Sequence, residues 1–139
     1  MIEGRYKVVA RFQDGSQRKG FVDDFWPNAR AIRFKEFNGK EEDLVLDKLK
    51  ALFYVRRFDG NRAHREIKKY GSKEAMPEGV AVRIRFKDNE MVEGLAANTN
   101  LSSMGFFLTP ADPSSNNIRI FVIKSSLEEY EVIGLKNSL

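Results

Sequence analysis

Three groups of residues in this chain have types and spacings that could do chemistry. The first is Asn100-Leu101-Ser102-Ser103-Met104-Gly105. Its pattern, Asn-x-Ser-x-x-Gly, offers an amide and a hydroxyl for hydrogen bonds, and a glycine where another group can come close to the backbone. The second is Arg62, Arg65 and Lys69. Steps of three and four place these cations on one face of a helix, where they could grip an anion. Arginine brings a flat two-pronged donor and lysine a point charge. The third is Trp26, next to Pro27 in a predicted loop, where an aromatic can anchor a protein partner. Each group has a plainer reading beside this one. Asn100 and Ser102 can bond their own backbone in a turn, with Gly105 supplying a bulge. A solvated helix face carries cations as a matter of course. A lone tryptophan more often plugs a core.

Other chemistries find no support. Cysteine is absent, which removes disulfides and thiolate catalysis. His64 is the sole histidine, with no cysteine or second histidine to complete a zinc site. The glycine loops that hold nucleotide phosphates, the zinc-protease helix and the nucleophile elbow are all missing. Carboxylates cluster at Asp23-Asp24 and at Glu41-Glu42-Asp43. Paired carboxylates do acid–base work only in a cleft that separates their pKa values. Both clusters flank predicted turns, where water keeps them ordinary. The chain therefore reads as non-catalytic and without a cofactor.

The elements that must position these residues come from an internal repeat. Arg11-Phe12-Gln13-Asp14-Gly15 matches Arg85-Phe86-Lys87-Asp88-Asn89 at an offset of 74, and Gly20 falls on Gly94. Tyr6, Val8, Ala10 and Phe12 alternate with polar neighbours, as do Val80, Val82, Ile84 and Phe86. A period of two marks half-buried strands. Asp14-Gly15, Asn38-Gly39 and Asp88-Asn89 supply hairpin turns. Ile32 and Phe34 align with Phe106 and Leu108. Beyond Pro110 the offset grows to 78, so that Leu49 meets Leu127, and the extra residues fall in the loop-like stretch 112–117. Phe12, Phe34, Phe86, Phe106, Leu108, Ile120 and Val122 are the expected core. Between the copies, Ala63, Ile67 and Tyr70 share one helical face and Gly71 is a natural stop. Ile67 is expected to face the protein.

The expected fold is thus mainly β: two related small antiparallel β-barrel units, 1–57 and 78–139, joined by a short helical basic linker over 58–77. A unit of this size with five bent strands suggests an SH3-like, Sm-like or PilZ-like barrel. Whether the copies form separate barrels or share a sheet is open at this point. Neither is long enough to bury a large core alone, so they are expected to pack together.

Glu93-Gly94-Leu95, the motif at Asn100–Gly105 and the apolar Phe106-Phe107-Leu108 together resemble the PilZ family, over roughly residues 62–133. The resemblance implies a signalling protein that binds cyclic di-GMP. It pairs the motif with Arg-x-x-x-Arg just upstream of the barrel. Here the corresponding residues are Arg65-Glu66-Ile67-Lys68-Lys69, with lysine in the second place. The implied ligand residues are Arg62, Arg65, Lys69, Asn100, Ser102 and Gly105, with Arg62 standing in for the second arginine. The first copy lacks the motif, since Trp26 aligns with Asn100 and Ala31 with Gly105.

Charge narrows the partners. Basic residues number 24 and acidic residues 20, for a net +4. Residues 1–55 carry +2, residues 56–78 carry +3 and residues 79–139 carry −1. A general nucleic-acid binder has a broader basic face. RNA or DNA binding, with Phe107 and Arg119 contributing to base stacking, therefore ranks behind a cyclic-dinucleotide effector and a protein-interaction adaptor. No apolar run approaches the roughly 18 residues of a membrane helix, and no signal pattern opens the chain. The expected location is cytoplasmic.

Overall fold

The computed structural model describes residues 6–25, 29–59, 80–97, 103–112 and 114–135. The architecture is mainly β. The strands are β1 (Tyr6–Phe12), β2 (Gln17–Val22), β3 (Ala31–Glu36), β4 (Glu41–Val45), β5 (Leu49–Val55), β6 (Val80–Phe86), β7 (Met91–Ala97), β8 (Gly105–Pro110), β9 (Asn117–Ile123) and β10 (Leu127–Leu135). They form one open ten-stranded sheet in the order β10-β6-β7-β8-β9-β5-β1-β2-β3-β4. Every neighbouring pair is antiparallel. Strand pairing thus joins both copies into a single shared sheet. The linker helix expected around residues 61–70 lies outside the described residues.

The repeat recurs strand by strand. β6, β7 and β8 begin 74 residues after β1, β2 and β3, and β10 begins 78 after β5. A single 3-10 turn precedes the last strand of each set, at Leu46–Lys48 and Lys124–Ser126. Hydrogen bonds repeat too. Gln13 N–H donates to Lys48 O at 3.0 Å, and Lys87 N–H donates to Ser126 O at 2.9 Å. The first hairpin turns on Gly15 with φ +92°, and its counterpart on Asn89 with φ +75°. Left-handed backbone favours glycine and tolerates asparagine, so both turns form. At Gly20 a side chain would collide with the Lys35 carbonyl and the Phe34 ring. At Gly94 it would meet the Thr109 carbonyl and Leu108 in the same way.

Two cores result. One gathers Val8, Ala10, Phe34, Leu46, Leu52 and Phe121. The other gathers Phe53, Ile84, Phe86, Phe106, Leu108 and Val122. Their common wall is the pair β5–β9, in the register Ala51↔Val122, Leu52↔Phe121, Phe53↔Ile120 and Tyr54↔Arg119. Successive residues of a strand face opposite ways. Leu52 and Tyr54 therefore enter the first core while Ala51, Phe53 and Val55 enter the second. This explains why Leu49-Lys50-Ala51-Leu52-Phe53-Tyr54-Val55 is buried throughout and does not alternate.

Phe34, Phe86, Phe106, Leu108, Ile120 and Val122 are core residues. Phe12 departs from the expectation and is only partly buried. Lys50, reaching across from the first copy, lies 4.6 Å from the Phe86 ring centroid. The stretch 112–117, expected as a plain loop, is held against the end of β5. Arg56 N–H donates to Asn116 O at 2.9 Å, and the Asn116 side chain bonds both Arg57 N–H and Arg57 O at 3.0 Å. Asp112 and Ser115 are buried there.

Candidate functional site

Of the residues implicated by sequence, Trp26, Arg62, Arg65, Lys69, Asn100 and Ser102 lie outside the described residues. Gly105 lies inside them and opens β8, opposite Ile123. A side chain there would run into the Val122 carbonyl and the Phe121 ring. Its lack of a Cβ is taken up by close packing of β8 on β9.

The structure brings together a different group. Tyr54 on β5 and Arg119 on β9 are cross-strand partners, and Phe107 on β8, the strand on the other side of β9, also reaches Arg119. The guanidinium carbon of Arg119 lies 4.3 Å from the Phe107 ring centroid, 4.4 Å from that of Tyr54 and 5.6 Å from that of Tyr6. The rings brace one another. Tyr6 and Tyr54 are 5.8 Å apart, Tyr54 and Phe107 6.0 Å, and Phe25 and Phe107 6.0 Å. Behind them Phe121 packs on Phe107 at 4.8 Å and on Phe25 at 5.0 Å. A cation over an aromatic face gains about 0.5–2 kcal/mol, more as water is excluded.

Arg119 is half-buried and, among the described residues, forms no ion pair. Arg11, Arg18, Arg33, Arg57, Arg83 and Arg85 each hold a carboxylate. Burial pushes the Tyr54 hydroxyl up to about 12, Arg119 pulls it back, and Asp24 pushes it further up. The group has a charge set among π faces, fit to hold an anion and to stack a flat ring. Sequence reasoning named Phe107 and Arg119 only for base stacking in the nucleic-acid alternative. It missed Tyr6, Phe25 and Tyr54, which nothing local marks, because they are scattered along the chain and meet only through strand pairing. Trp26 follows Phe25 directly in the chain.

The acidic cluster Glu41-Glu42-Asp43 serves ion pairs. Glu42 and Glu36 both bind Arg18, while Glu41 and Asp43 bind Arg33 at 3.4 Å each. Hydrogen bonding from Arg18 holds Glu42 below the usual carboxylate range, whereas a general acid needs a pKa raised above it. Lys50, only 8% exposed, binds Asp88 at 2.6 Å and also Glu90. It lines a cleft of about 250 Å³ with Phe12, Asp14, Phe86 and Asp88. Its hydrogen bond holds Asp88 below the usual range. Among the described residues no three His, Cys, Asp or Glu side chains come together as a metal site. No helix among them is long and apolar enough to cross a membrane.

Neither the curated proteins nor the solved structures contain a match to this chain. One protein-family model does match, and it spans residues 4–134. The chain belongs to that family, DUF6982, a family of unknown function.

Proposed function

We propose that this protein is a non-catalytic, PilZ-like binding protein that takes a phosphate-bearing nucleotide, with cyclic di-GMP the first candidate. The observation that carries the reading is Arg119, which lies over both the Phe107 and the Tyr54 rings with no ion pair among the described residues. An ion pair would satisfy this charge, and a ligand phosphate supplies one. The flanking rings suit a purine face. In this reading Arg62, Arg65, Lys69, Asn100 and Ser102 converge on the same ligand. In this reading each five-strand set corresponds to one small barrel-like unit, and the basic segment 58–77 links the two. A ligand with two phosphates does not cross a membrane unaided, so a cytoplasmic location goes with it.

Calorimetric titration of the full chain with cyclic di-GMP tests this. Binding is expected to weaken with added salt. Arg65→Ala and Ser102→Ala are each expected to cost about 1.5–3 kcal/mol of binding. Arg119→Met should abolish binding, and Arg18→Ala should leave it unchanged. No binding by a folded sample at physiological salt overturns the reading, as does binding that survives loss of Arg65, Ser102 and Arg119 together. A single-stranded RNA bound in place of the dinucleotide would favour the nucleic-acid alternative. The second reading, an adaptor without a nucleotide ligand, draws on exposed apolar side chains along β10, where Val132 is 56% exposed.

A further inference from the structure

The joint between the two copies has an empty counterpart. On its outer edge β5 is paired by β9. By the offset of 78, β10 is the equivalent of β5, yet among the described residues β10 pairs only with β6 and ends the sheet. Burial follows this difference. Leu52, Tyr54 and Val55 on β5 are at most 5% exposed. Their counterparts Tyr130, Val132 and Ile133 on β10 are 42%, 56% and 37% exposed. An unpaired strand with apolar side chains is a template for another strand.

Charge decides what fits. The other free edge is β4, the equivalent of β9. Applying the β5–β9 register to β10 and β4 would set Glu131 opposite Glu42 and Val132 opposite Glu41. Like charges opposed across strands are destabilising, so a second copy is a poor occupant. Arg83 and Arg85 on β6 hold Glu131 and Glu129. Glu128 has no ion pair among the described residues, and the rim stays acidic. The strand already seated on β5 shows the pattern that suits: Ile118-Arg119-Ile120-Phe121-Val122, apolar with a cation.

We propose that the free edge of β10 docks an extended segment of a partner protein, apolar with basic residues interspersed. The segment adds to the sheet in the position on β10 that β9 takes on β5. Main-chain hydrogen bonds supply affinity, and Tyr130, Val132 and the glutamates supply selection. The inference stands apart from the nucleotide reading, since β6, β7 and β8 separate β10 from β9.

The test uses the full chain and two labelled peptides copied from it, residues 116–124 (the β9 sequence) and residues 39–46 (the β4 sequence). Fluorescence anisotropy should show saturable binding of the 116–124 peptide and none of the acidic 39–46 peptide. Replacing the peptide's arginine by glutamate should weaken binding about tenfold, as an attraction becomes a repulsion. Val132→Asp in the full chain, at an exposed side chain, should abolish binding. Hydrogen exchange should show new protection of β10 amides on peptide addition. The proposal is overturned by no saturable binding of the 116–124 peptide, by equal binding of both peptides, or by protection that appears away from β10. Self-association of the free chain at neutral pH would also overturn it, because a second copy would then be the occupant.

Discussion

Phe12 and Phe86 are the same residue at equivalent places in the two copies, yet their surroundings differ. Phe86 is fully buried, with Lys50 reaching over it from across the joint, while Phe12 is only partly buried. Phe86→Ala is therefore expected to cost roughly 3–5 kcal/mol, the range for a core phenylalanine. Phe12→Ala should cost about 1–2 kcal/mol, since less surface leaves water there. Chemical denaturation of the two variants measures both. Tyr54 provides a pH signature. Burial pushes its hydroxyl up to about 12 from the ordinary value of 10.0. The folded state holds this proton longer than the unfolded chain does. The contribution is whole below pH 10 and disappears as pH rises toward 12. Denaturation midpoints should fall across that alkaline window, and Tyr54→Phe should flatten the fall. A midpoint independent of pH there would mean that Tyr54 is not shielded as described.

The elements depend on small residues at close approaches and on turns with left-handed backbone. Gly94 lets β7 lie tightly on β8, under the Thr109 carbonyl. Gly94→Ala must push the strands apart and should cost about 1–3 kcal/mol, the usual range for overpacking. Gly15→Ala leaves space unchanged but forces a side chain onto φ +92°. It should cost roughly 1–2 kcal/mol. Thermal melts of the pair separate crowding from conformational strain. Much of this level was legible from sequence. Alternation in Tyr6–Phe12 and Val80–Phe86 and the hairpin dipeptides are short-range signals, and these segments are strands. β5 was harder, because an unbroken apolar run shows burial without showing which face meets which core. The stretch 112–117 looked like an ordinary loop by composition. Its clamp on Arg56 and Arg57 depends on hydrogen bonds to residues some 60 positions away.

At the scale of the molecule, neither core is complete without the other copy. Phe121 and Ile123 of β9 belong to the first core, and Ala51, Phe53 and Val55 of β5 to the second. Separating the copies would expose both faces of the joint. Unfolding should therefore be a single cooperative transition. Native-state hydrogen exchange should give amides of β1 and β6 the same opening free energy, and two distinct values would mean that the halves fold separately. Lys50 ties the halves together through Asp88 and Glu90. Lys50→Met leaves two carboxylates facing each other. Its expected cost is roughly 1–3 kcal/mol, below that of a fully buried pair because Asp88 is open to water. The same variant should lower β1 and β6 protection equally.

The sequence by itself determined the β content, most strand positions, the hairpin turns and the repeat with its offsets. These follow from side-chain alternation and from the backbone demands of Asp-Gly and Asn-Gly turns, both of which act within a few residues. Only the tertiary structure decided that β5 pairs with β9, and three further facts follow from that pairing. The sheet is shared and, among the described residues, has two free edges. Lys50 reaches over Phe86. Arg119 meets Tyr54 and Phe107. The physical reason is that an apolar strand edge can satisfy its backbone hydrogen bonds against many others. Which partner it takes depends on packing both faces of the pair at once, a condition that no local spacing encodes.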